Sequence, residues 1–319
     1  MKPLDQIPDT LRQSLRGIFS DIDDTITTNG MLSAEAYSAI ENISEQGIDF
    51  IPITGRPAGW CDMIARFWPV RGVIGENGAF FFSYDHKKKK MIRRYIQSEK
   101  ERSEGRKKLE KIKQKVLNEV AGCAVSSDQF SRISDLAIDF CEDVPDLPIE
   151  AVKKIKEIFD ETGATAKISS IHVNAWFGDY SKLEMTRVFT KEIFDIDLDR
   201  YKDEFVFCGD SPNDEPLFQY FPNSCGVANV KDFESEMTYL PTYVSRSKGG
   251  KGFVEICRKF LDIKFYNEFL RLKIYSAVFL DFQMFGSVLI FQKANSKKVV
   301  GDPGIEPGAR LREGVTGCS

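Results

Sequence analysis

The 319-residue sequence predicts an α/β fold: an open sheet of parallel strands into which a smaller α+β unit is inserted. Three observations predict it. Short apolar runs ending in small or acidic residues alternate with stretches of helical periodicity. The residues able to do chemistry gather at the ends of those runs, and ligands of open parallel sheets sit outside the carboxyl ends of the strands. Residues 83–179 differ in texture, with charged amphipathic stretches and alternating strands of their own. The expected division is a core of residues 15–82 and 180–260, a cap of residues 83–179, and an extension of residues 261–319 that is poorly ordered or no part of the core.

Gly17-Ile18-Phe19-Ser20 reads as a buried strand that delivers Asp21-Ile22-Asp23-Asp24-Thr25 at its tip. Strand alternation turns Asp21 and Asp23 toward one cleft and Ile22 into the core. Two neighbouring acids can divide the labour. An ionised carboxylate can attack phosphorus and bind a cation, while its neighbour, kept partly protonated by that charge, gives a proton to the leaving oxygen. The motif alone serves equally well as a helix cap or a solvated loop.

Residues 34–46 carry a helical pattern with Ser33 as N-cap and Gly47 as its stop. A second apolar run, residues 48–53, ends in Thr54-Gly55-Arg56-Pro57, with Pro57 at a plausible first helical position. Such a strand-to-helix turn aims backbone N–H groups at an anion, Gly55 allows close approach, and the Thr54 hydroxyl adds a donor. In the insert, Leu109, Ile112, Val116 and Val120 recur at helical spacing, as do Ile149, Val152, Ile155 and Phe159. Leu136, Ile138 and Phe140 alternate with polar or small residues, and Ile171, Val173, Ala175 and Phe177 alternate with His172, Asn174 and Trp176.

After the insert, Ser181 and Glu184 read as a capping box that places Lys182 in the first turn of a helix. A cation there is locally unfavourable, so Lys182 is expected to face an anion. A third apolar run, Phe205-Val206-Phe207-Cys208, leads into Gly209-Asp210-Ser211-Pro212-Asn213-Asp214. Carboxylates at two strand tips, with a substrate phosphate, suit Mg²⁺.

In this order the four elements resemble the haloacid dehalogenase-like superfamily of phosphotransferases. The first is Asp21 to Thr25, the second Thr54, the third Lys182, and the fourth Gly209 to Asp214; the resemblance covers roughly residues 15 to 260. The long insert, Gly75-Glu76-Asn77-Gly78-Ala79 and Gly226-Val227-Ala228-Asn229 look like the Cof-type branch (subfamily IIB), which includes sucrose-phosphatase-like enzymes. Many members of that branch have glycine where this chain has Asp24.

The resemblance implies a Rossmann-like core whose cap closes over the cleft and chooses the substrate. It also implies a phosphatase in which Asp21 forms an aspartyl-phosphate and Asp23 serves as acid, then base. Mg²⁺ would be held by Asp21, Asp210, a backbone carbonyl at Asp23 and, directly or through a neighbour, Asp214. Thr54, Gly55 and Lys182 would hold the phosphate. Arg56, Asn77 and Asn213 are expected to border the substrate, with Asn213 orienting Lys182 or the metal's ligands, and the strip His172, Asn174 and Trp176 suits a sugar phosphate. A phosphosugar mutase and a non-catalytic sugar-phosphate sensor are the alternatives.

A composition of 42% hydrophobic and 29% charged residues is that of a globular protein. The net charge of −4 argues against nucleic acid as a partner, and the basic run His86-Lys87-Lys88-Lys89-Lys90 reads as a solvated hairpin edge. Seven cysteines without C-x-x-C spacing suggest reduced thiols in the cytoplasm, and residues 1–10 have no secretory pattern. Two histidines are too few for a multi-histidine zinc site. The apolar stretch 274–291 is broken by Asp281, Gln283 and Gly286, so it does not read as a membrane span.

Overall fold

The computed structural model describes residues 1–261; the expectations for residues 262–319, including the stretch 274–291, lie outside the described residues. The chain opens with β1 (Lys2–Pro3), α1 (Asp9–Ser14), β2 (Gly17–Ser20), α2 (Ala34–Glu45), β3 (Asp49–Pro52), α3 (Ala58–Phe67) and β4 (Val73–Gly75). A hairpin of β5 (Phe80–Asp85) and β6 (Lys90–Tyr95) follows, then α4 (Glu99–Glu119), β7 (Ala124–Val125), β8 (Leu136–Asp139), α5 (Ile149–Asp160), β9 (Thr165–Ile168) and β10 (His172–Trp176). The remainder is α6 (Lys182–Phe194), α7 (Leu198–Tyr201), β11 (Phe205–Gly209), α8 (Glu215–Tyr220), β12 (Ser224–Gly226), β13 (Tyr243–Val244) and α9 (Gly249–Phe260).

Six strands in the order β1-β13-β12-β11-β2-β3 form one sheet, and every pair in it is parallel. Its central strands are apolar and buried along their whole length, the signature of a sheet covered on both faces. Phe19, Phe205, Phe207 and Phe221 fill one side, and truncating any one of them to alanine would cost about 3–5 kcal/mol. Register aligns the strand tips: Ser20 pairs with Pro52 on one side and Cys208 on the other. The residues that follow β2, β3 and β11 therefore emerge side by side.

The insert builds a second core. An antiparallel sheet β7-β8-β10-β9 lies under α4 and α5, with Leu109, Ile112, Val116, Val152, Ile155 and Phe159 among the apolar residues between helices and sheet. Ile149, expected on that buried stripe, is exposed as the first residue of α5, and Ile158 is buried further along. The strip His172, Asn174 and Trp176 is wholly buried, because both faces of β10 are covered.

Two expected boundaries move. The limit at 82/83 falls inside the β5–β6 hairpin, which pairs with β4, and Phe81 and the adjoining Ile96 pack into the aromatic core. The basic run His86–Lys90 is the exposed tip and far strand of this hairpin, a polar edge rather than a linker. At the other end β1 pairs with β13, so the core begins before residue 15.

Candidate active site

The cleft forms where β2, β3 and β11 end. Asp21 follows β2, its N–H bound to the Cys208 carbonyl (2.9 Å), and its carboxylate is buried. Lys182, the first residue of α6, reaches it from the far side of the insert: Nζ lies 2.6 Å from Asp21 Oδ1 and 2.8 Å from Asp214 Oδ1. Ser181 caps that helix by accepting the Glu184 N–H, while the Glu184 carboxylate pairs with Arg187 instead of returning to the cap. Gly78, at φ 103°, lets its loop press against this helix start. A Cβ there would stand 2.1 Å from the Ser181 carbonyl oxygen.

Asp21, Asp210 and Asp214 bring one oxygen each within 4.8 Å of one another. Two of these buried carboxylates share the one ammonium, and among the described residues no cationic side chain pairs with Asp210, which accepts a hydrogen bond from Thr25 Oγ1 (3.1 Å). Asp214 folds back over Gly209 and accepts the Asp210 N–H (3.2 Å); any side chain at residue 209 would collide with it. Burial, joined by Asp214 and Asp23, pushes Asp21 up to about 8 against the opposing pull of Lys182. Burial and its carboxylate neighbours likewise drive Asp210 well above the carboxylate range, while the two aspartates raise Lys182 despite burial. So much unneutralised charge out of water is costly, and an all-oxygen donor set of this kind fits a hard divalent cation.

Asp23 borders the cleft too, but its partner is a guanidinium. Arg56 Nε lies 3.0 and 3.1 Å from its two oxygens and Nη2 2.8 Å from Oδ1, where the sequence suggested a carboxylate neighbour. Asp24 adopts φ 57°, the left-handed conformation that glycine takes freely, so the departure from glycine carries backbone strain. Thr54 Oγ1 accepts the Arg56 N–H (3.0 Å). Pro57 is the N-cap of α3, one position before the helix begins.

Asp21, Asp23, Gly55, Arg56, Asn77, His172, Asn174, Asp210 and Asn213 all line one cavity of about 20 Å³, roughly the space of a single water. Asn77 Nδ2 is buried there without a partner among the described residues. Asn174 donates to Asp135 (3.0 Å), and His172 Nε2 lies 3.0 Å from Glu142 Oε2. Trp176 is not among the lining residues and stacks on Tyr180. Asn213 accepts from Ser211 rather than touching Lys182, whose orientation comes from Asp214.

Sequence reasoning missed the residues that join cap to core. The Glu76 carboxylate accepts backbone N–H groups of Ala58, Ile133 and Ser134, and Arg132 pairs with Asp128 and Asp135 while donating to the Gly55 carbonyl (2.9 Å). Glu76 stood inside the noted Gly75 to Ala79 stretch, so an acid in a strand-end loop was a usable signal. Nothing in the irregular segment 126–135 marked Arg132.

Residues 18–129, which hold the first two elements of the cleft, match the family model of the haloacid dehalogenase-like hydrolases. Over those residues the chain is similar to that family. Among its relatives, a phosphoglycolate phosphatase of Methanospirillum hungatei is 27% identical over 257 residues, covering 77% of this chain and 97% of that protein. A solved Thermoplasma acidophilum structure is similar with a TM-score of 0.59 at 18% identity, covering 77% of this chain and 98% of that one. The sucrose-phosphatase of Synechocystis, solved with sucrose and phosphate, gives 0.54 at 15% identity with the same coverage. These two likenesses show the shared fold.

Proposed function

We propose that the hydrolase is a Mg²⁺-dependent phosphatase that passes the phosphoryl group of a small phosphomonoester to Asp21 and then to water. A phosphoric monoester hydrolase is supported by the match of residues 18–129 to the hydrolase family model and by the phosphatase relative. The finer reading is carried by one observation: Lys182 and the Asp21, Asp210 and Asp214 carboxylates converge at neighbouring strand tips.

Asp21, Asp210 and Asp214, with the Asp23 backbone carbonyl, are the groups that would hold Mg²⁺, which when bound supplies charge neutralisation at the phosphoryl oxygens. Lys182, the Thr54 hydroxyl and the backbone at Gly55 hold the phosphate and offset the charge that develops on it. Asp21 attacks phosphorus in line, and Asp23 protonates the leaving oxygen. Asp23 then takes a proton from the water that hydrolyses the aspartyl-phosphate.

A sugar phosphate is the proposed substrate class, supported by His172 and Asn174 at the cleft wall. A compact phosphocarboxylic acid is the second reading, favoured by the narrow cavity and by the substrate in the relative's name. A mutase would have to shield the phosphorylated Asp21 from water, and a sensor would have no turnover. A cytoplasmic location is supported by the six free thiols among the described residues; no helix among those residues is long and apolar enough to cross a membrane.

Phosphate release from a panel of sugar phosphates and phosphoglycolate, with Mg²⁺ and no activating bisphosphate, tests the reading. Turnover is expected to stop on chelation and to fall by about 10⁴-fold or more in Asp21→Asn, which should still bind ligand. Undiminished turnover in that variant would remove Asp21 as nucleophile.

A further inference from the structure

Glu142 stands on the cap, in the turn after β8. The buried Asp139 carboxylate accepts the backbone N–H groups of Cys141 (3.0 Å), Glu142 (2.8 Å) and Asp143 (2.8 Å), which fixes the turn and sends Glu142 across to the core. One of its oxygens lies 2.8 Å from Arg56 Nη1 and the other 3.0 Å from His172 Nε2. The opposite edge of the same guanidinium grips Asp23, and its plane lies over the Trp60 ring at 4.5 Å. A planar fork held at both edges and stacked on one face has little freedom to turn.

Asp23 and Arg56 also line an adjoining cavity of about 310 Å³, bordered by Asn29, Cys141 and Glu142. A leaving group that outgrows the 20 Å³ cleft has room there, directly beside Asp23.

We propose that Glu142 is a positioning residue for phosphoryl transfer: by holding Arg56 from the cap, it sets the Asp23 carboxylate where the leaving oxygen departs. The inference rests on the phosphatase reading above. As the P–O bond breaks, Asp23 gives its proton to the leaving oxygen, and it regains one from the water that attacks the aspartyl-phosphate. Glu142 gains and loses none. Contact between cap and core and delivery of the proton are thereby linked through one arginine.

The test compares two esters, glycerol phosphate, whose alkoxide needs a proton, and p-nitrophenyl phosphate, whose leaving group does not. Glu142→Gln is expected to lower kcat for glycerol phosphate by about 10²-fold, the cost of a misplaced group. For the aryl ester kcat should stay within about threefold, because proton donation contributes little there. KM should hold for both, Glu142→Asp should recover part of the loss, and Glu142→Gln should add nothing in an Asp23→Asn background. Equal losses on the two esters, a change in KM alone, or no change would overturn the proposal. If Glu142→Gln loses its thermal transition, Glu142→Asp carries the same comparison with a smaller split expected. Wild-type protein that hydrolyses neither ester would instead sink the phosphatase reading, and this inference with it.

Discussion

Two carboxylate clusters meet at the cleft, and their charges are handled differently. At the strand tips one lysine pairs with Asp21 and Asp214, and Asp210 beside them has a hydroxyl where a cation would be expected. Along the cap seam Asp23, Asp128, Asp135, Glu142 and Glu76 each have an arginine or a row of backbone N–H groups. Buried charge is tolerated when it is paired and hydrogen-bonded, so the seam can be structural while the strand-tip cluster is left wanting positive charge. The imbalance is what the proposed function requires of a site that takes up a cation, and the seam lacks it.

The largest test of that difference is Asp210→Asn. Removing one of three mutually repelling carboxylates should stabilise the metal-free protein while lowering turnover by about 10²-fold or more, since a stabilising charge at the reacting phosphate is lost. Mg²⁺ should raise the melting temperature of the wild type and do so less in this variant. A destabilised Asp210→Asn protein would mean that the cluster is already balanced.

The seam should behave in the opposite sense. Arg132→Met leaves Asp128 and Asp135 buried without their cation, so chemical denaturation is expected to show a loss of about 3–5 kcal/mol. A loss below about 1 kcal/mol would erase the distinction between the clusters.

Smaller effects sharpen it. Asp24→Gly should relieve the positive φ and stabilise by about 1 kcal/mol in the same assay. Glu142 is held down to about 2 by His172, whose Nε2 lies 3.0 Å away, and by Arg56. Its folded value lies below the usual 4.5, so the folded state binds fewer protons than the unfolded chain between these values. The stabilisation is therefore present above about pH 4.5 and is lost as pH falls toward 2. Glu142→Gln should flatten acid unfolding in that window, and an unchanged profile would show that the cap contact is not formed in solution.

The sequence alone determined what local rules govern. Asp21, Thr54 and Asp210 each follow a short, mostly apolar run, and buried parallel strands need such runs, so their place at strand tips was legible in the sequence. Lys182 was legible from its misfit at a helix start. The partners depended on the folded chain. Arg56 looked like a substrate contact and became the link between Asp23 and Glu142, residues 119 positions apart by number, and Glu142 and Arg132 had no marker at all. Periodicity and caps report the few residues around a position, whereas a contact between cap and core depends on how two hydrophobic cores of one compact unit meet. That meeting is set by side-chain fit and charge across the seam, neither of which leaves a period in the chain.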